Sequence, residues 1–144
     1  MLRVTVDTNV LVSGSLVAEG ASARIILAVE QHRFVPVMCQ AILEEYVNVM
    51  VRPHITRKYP QATHVTQATA RLLQQDALWV QSLPDLHCIA DDPDDDVILA
   101  VALAGQAAYI VSGDPHLTKL GRFQRITILP PRDFVVQVLK EPVP

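Results

Sequence analysis

A three-layer α/β/α sandwich around a central, mostly parallel sheet is the fold this sequence predicts. Two observations carry the prediction. Short β-branched or aromatic runs alternate with segments of helical period, and those runs are continuously apolar, the pattern of strands covered by helices on both faces. A length of 144 residues suits one compact domain. Residues 1–140 are read as that single domain and residues 141–144, rich in proline, as a loose C-terminal tail.

In chain order, the strand candidates are Val4-Thr5-Val6, Phe34 to Val37, Leu78 to Val80, Tyr109 to Val111 and Ile126 to Ile128, each bounded by polar or turn-forming residues. Helical period runs from Ala23 to Gln31, Gln40 to Val51, Thr63 to Gln75 and Asp96 to Ala104. The basic stretch RPHITRKYP, residues 52–60, reads as a loop or short helix at the surface.

With 50% hydrophobic and 19% charged residues, the composition lies away from that of disordered chains. No apolar run approaches the ~20 residues of a membrane span, so a soluble protein with no membrane partner is expected. The first residues lead straight into a strand pattern without the layout of a secretion signal. Cys39 and Cys88 form no CxxC pair and suit a reducing compartment, so a cytoplasmic location is expected. A formal charge of −3 argues weakly against nucleic acid, because acids committed to a metal site would leave the remaining charges near balance.

The acids carry the chemistry. Asp7 ends the first strand candidate, between two apolar runs, where a bare charge is costly to bury. Asp114 follows another strand, and ligands of open α/β sheets bind outside the carboxyl ends of strands. Asp91, Asp92, Asp94, Asp95 and Asp96 precede an apolar helix, although capping and dipole complementation ask for one or two acids. Like charges this close disfavour one another's ionisation, and a cation offsets that. A calcium loop beginning at Asp92 is excluded, since Val97 stands where glycine and Leu103 where glutamate are needed. Glu44 and Glu45 flank an apolar stripe of Ile42, Leu43, Tyr46, Val47 and Met50, and periodicity does not choose between them. Solvated surface acids are the ordinary reading of such a pair.

Four segments together resemble the PIN domain family, in particular its small single-domain members known as toxins of bacterial toxin–antitoxin pairs: VDTNVLVSG, ILEEYVNVMVRP, DPDDDVILAVALA and YIVSGDPHL. LPPRDF is similar to the family's closing segment. The resemblance places the family's four acids on Asp7, Glu45, Asp95 and Asp114 as catalytic and metal-holding residues. It favours Glu45 over Glu44 because Tyr46 follows, and Asp95 over Asp96 from the spacing to Ala100, Ala102 and Leu103. Thr8, Asn9 and Ser112 match polar positions beside the acids, with Asp92 and Asp96 in support.

Carboxylates without a Cys or His cluster suit Mg²⁺ or Mn²⁺ rather than zinc. The five histidines, His32, His54, His64, His87 and His116, are scattered and read as surface or loop residues. An ion in such a cage lowers the pKa of nearby water and offsets charge on the phosphoryl oxygens and the leaving 3′-oxygen. The resemblance implies a metal-dependent ribonuclease acting on single-stranded RNA. Arg52, Arg57, Lys58, Lys119 and Arg122 are candidates for holding the backbone, and Tyr46 or Tyr59 for base stacking. It further implies a small antitoxin partner and a homodimer. Two rivals are a catalytically silent module that binds RNA or protein, and an aspartyl phosphotransferase or receiver-like domain. A dehalogenase-type phosphatase needs Asp two residues after its nucleophile, where this chain has Asn9.

Overall fold

The computed structural model describes residues 1–85 and 93–143. Cys88, His87, Asp91 and Asp92 therefore lie outside the described residues, and of Asp94 only the backbone is described. Six strands, β1 (Arg3–Val6), β2 (Val35–Met38), β3 (Leu78–Trp79), β4 (Tyr109–Val111), β5 (Arg122–Phe123) and β6 (Ile126–Leu129), form one sheet in the order β3-β2-β1-β4-β6-β5. Every described pairing is parallel except the antiparallel hairpin of β5 with β6. The mostly parallel α/β prediction holds.

Eight helices are described: α1 (Thr8–Leu16), α2 (Ala21–Glu30), α3 (Gln40–Met50), α4 (Pro53–Lys58), α5 (Ala62–Asp76), α6 (Pro93–Ala104), α7 (Pro115–Leu120) and α8 (Pro131–Gln137). Successive side chains of a strand point to opposite faces, and Val4, Thr5 and Val6 of β1 are all buried, as are Pro36, Val37 and Met38 of β2. Both faces of the central strands are thus covered. α6 packs on β1, β2 and β4, while α1, α2, α3 and α5 pack on one another. The core fills the layers, with Phe134 meeting Phe34 edge to face at 5.7 Å and Tyr109 at 5.9 Å. None of the described helices is long and apolar enough to cross a membrane.

Four elements differ from the sequence-based reading. VLVSG after Asp7 reads as a second apolar run, yet it lies in α1, whose Val10 and Leu11 are buried. α2 approaches α1 so closely that a β-carbon on Gly14 would lie 2.5 Å from the Ser22 carbonyl oxygen. Glycine is required there by space. The short α7 and α8 each begin with proline at the first helical positions, and β5 exists through its pairing with β6. At the C-terminal end, Arg33 binds the Leu139 carbonyl at 2.7 Å and pairs with Glu141 at 3.1 Å, and Val143 packs against the core.

Candidate active site

The chain runs from β1 outward through β2 to β3, then returns to place β4 on the other side of β1. That reversal opens a crevice between the carboxyl ends of β1 and β4. Asp7 and Asp114 stand there, immediately after or near the ends of those strands.

Both acids also cap helices. The Asp7 carboxylate accepts the Thr8 N–H at 2.7 Å as N-cap of α1, and Asp114 accepts the His116 N–H at 2.9 Å as N-cap of α7. Capping alone would be served by Ser or Asn. What distinguishes Asp7 is burial, at 8% exposure, together with further donors. The Ser112 hydroxyl donates to Asp7 Oδ2 at 2.6 Å, and Asn9 Nδ2 reaches the same oxygen at 3.3 Å. The question posed by a carboxylate between apolar runs is answered first by local hydrogen bonds.

Those donors tie Asp7 to the other strand end. Ser112, fully buried, accepts the Asp114 N–H at 3.0 Å on the hydroxyl that it donates to Asp7. Asn9 accepts the Gly113 N–H at 3.1 Å. Thr8, Asn9 and Ser112 therefore do stand beside the acids. The Thr8 hydroxyl is buried and has no hydrogen-bond partner among the described residues.

Asp95 enters from the first turn of α6 and is 3% exposed, whereas Asp96 is only half-buried. His116 Nδ1 lies 3.6 Å from Asp114 Oδ1 and 4.0 Å from Asp95 Oδ2. Donor atoms of Asp95, Asp114 and His116 all fall within 4.8 Å of one another, a grouping that can hold a metal ion. His116 is a surface residue, 67% exposed, as expected from the sequence, and its ring stands beside two carboxylates. Its placement follows from Pro115, which starts α7 and sets the imidazole two residues beyond the cap.

Glu45 stands on the exposed face of α3, in a cleft of about 440 Å³ that runs between α3 and the start of α6. Glu44, Asn48 and Arg52 line it with Val97 and Ile98. Both glutamates border the cleft, and Gln40 contacts Glu44 at 3.4 Å. Of the basic residues, Arg52 faces this cleft. Arg57 and Lys58 are exposed on α4, Lys119 on α7, and Arg122 on β5, where its Nε binds the Gln124 carbonyl at 3.1 Å.

One expectation is overturned. Tyr46 cannot stack on a base, because it is fully buried with its hydroxyl 2.7 Å from Ser15 Oγ. It belongs to the apolar stripe of α3. Tyr59 is half-buried, with Lys58 Nζ 5.5 Å from its ring centre.

The donor set of Asp95, Asp114 and His116 is carboxylate-rich and comes together from α6 and the start of α7, with Asp7 at the end of β1 tied to it through Ser112, which fits a divalent cation. In open α/β sheets the crevice at such a switch point is where ligands bind. The PIN domain family model matches residues 3–116, and the chain belongs to that family. Comparison with curated proteins gives no match. PIN domains are generally metal-dependent nucleases that use divalent ions. The matched span contains Asp7, Glu45, Asp95 and Asp114 and ends on His116.

Proposed function

We propose that this domain is an Mg²⁺- or Mn²⁺-dependent endoribonuclease that hydrolyses phosphodiester bonds of single-stranded RNA, acting as the toxin of a toxin–antitoxin pair. The observation that carries the reading is the hydrogen-bonded chain Asp7–Ser112–Asp114, with the His116 ring standing 3.6 Å from Asp114 and 4.0 Å from the nearly buried Asp95. Asp7, Asp95, Asp114 and Glu45 would hold the ion, whose chemistry is to activate water and to offset charge on the phosphoryl oxygens.

The chain's own groups supply the rest. Ser112 and Asn9 keep the Asp7 carboxylate turned toward the strand ends by donating to its Oδ2. Glu45, in the cleft between α3 and the start of α6, would orient the nucleophile or hold the ion through water. Arg52, the residue that caps α4 and lines the same cleft, attracts the phosphate backbone, an affinity that is independent of sequence. Lys119, Arg57, Lys58 and Arg122 extend that attraction over neighbouring surfaces. A small antitoxin covering the acidic cleft, and a homodimer, complete the reading; both rest on the family resemblance.

Purified protein incubated with end-labelled single-stranded RNA and Mn²⁺ or Mg²⁺ tests the reading. Cleavage that disappears with EDTA and in Asp7→Asn supports it. Metal-independent binding without cleavage supports the silent module, and uptake of label from acetyl phosphate supports the phosphotransferase.

A further inference from the structure

We propose that His116 is a nitrogen ligand of the cation held at this site and that it biases the site toward Mn²⁺ over Mg²⁺. The inference rests on the metal-dependent reading above and adds a donor that the four acids do not include.

Distance carries the first part. The His116 ring nitrogen is 3.6 Å from one carboxylate oxygen and 4.0 Å from another, too far for a hydrogen bond to either. Two ligands about 2.1 Å from one ion lie roughly 3 Å apart when adjacent and about 4.2 Å apart when opposite. The three donors, all within 4.8 Å of one another, are spaced to close on one ion by small movements. The backbone is set for this, since the His116 N–H is fixed on Asp114 and Pro115 holds the helix start. Asp95 is a nearly buried wall, while the exposed imidazole can turn without repacking the core.

Donor chemistry carries the second part. Mg²⁺ selects oxygen ligands and gives up its waters reluctantly. An imidazole among carboxylates keeps the set hard enough for Mn²⁺ but lowers its match to Mg²⁺, because nitrogen donors favour first-row transition ions.

Calorimetric titration of the full chain with Mn²⁺ and with Mg²⁺, on wild type, His116→Ala, His116→Gln and Asp114→Asn, separates the possibilities. Both His116 variants should lose about tenfold or more in Mn²⁺ affinity, with Mg²⁺ affinity changing less than about threefold. Pulsed electron paramagnetic resonance on the Mn²⁺-loaded wild type should show a directly coordinated nitrogen that vanishes in both variants. An equal fall for the two ions, or no coordinated nitrogen, overturns the proposal. If Asp114→Asn still abolishes Mn²⁺ binding in that case, the nuclease reading survives; a wild type that takes up neither ion removes both.

Discussion

Ser112→Ala is the perturbation from which most can be learned, because one hydroxyl links the two strand ends. Its bond to Asp7 Oδ2 is 2.6 Å long, in the range of a charge-assisted O–H to carboxylate contact. Losing such a bond costs about 1.5–3 kcal/mol. Asp7 keeps the Thr8 and Asn9 donors, which holds the loss within that range. The Asp114 N–H loses its acceptor in a part-buried setting and adds about 1 kcal/mol. A total of about 2.5–4 kcal/mol is a large share of the ~5–15 kcal/mol typical of a domain. Urea unfolding of Ser112→Ala, Asp7→Asn and the double variant measures it, with unchanged m-values as the sign that stability alone moved. The two substitutions should be non-additive by about 1 kcal/mol or more. A loss under about 0.5 kcal/mol with additive behaviour would refute the claim that Ser112 couples the strand ends.

Three further outcomes follow from geometry. Gly14→Ala should cost about 1–3 kcal/mol in thermal unfolding, since the new methyl meets Ser22 backbone at 2.5 Å and forces α1 from α2; an unchanged melting temperature contradicts this. Tyr46→Phe should cost about 0.5–1.5 kcal/mol through its lost bond to Ser15, yet leave RNA affinity as it was. A drop in RNA affinity without loss of stability would show that the ring is reached by nucleic acid after all. Arg52→Ala should weaken binding of non-cleavable RNA to about the same extent across sequences, and reduce the slope of log affinity against log salt by about 0.7. An unaltered slope would remove Arg52 from the phosphate path.

The elements that the sequence made legible are those whose signal is local. α2, α3 and α5 carry apolar stripes, α6 is a long apolar run behind its acids, and five strands carry β-branched or aromatic runs, as Val4-Thr5-Val6 does. The missed α1 has little stripe to read, because TNVLVSGSL is apolar and β-branched around much of its circumference. It becomes helical through the Asp7 cap and close packing by α2, α3 and α5. β5, two residues long, depends on a partner strand that no local pattern announces. At the site, Asp7 and Asp114 were legible as charges at strand ends. The preference for Asp95 over Asp96 came from family spacing, and burial now separates the two, since Asp95 faces Asp114 and His116. Glu44 and Glu45 remain alike in position, both on the border of one cleft. His116 escaped notice because its importance arises in three dimensions, where Asp95, from another segment, comes to face it.

The account turns on distant carboxylates sharing one cation, and anomalous diffraction from crystals grown with Mn²⁺ measures that directly. It predicts a strong peak between Asp95 and Asp114, about 2.2 Å from at least one oxygen of each, with Asp7 on the same side of the sheet. Manganese bound only at unrelated surface positions, with this cluster left without a peak at saturating concentration, would contradict it.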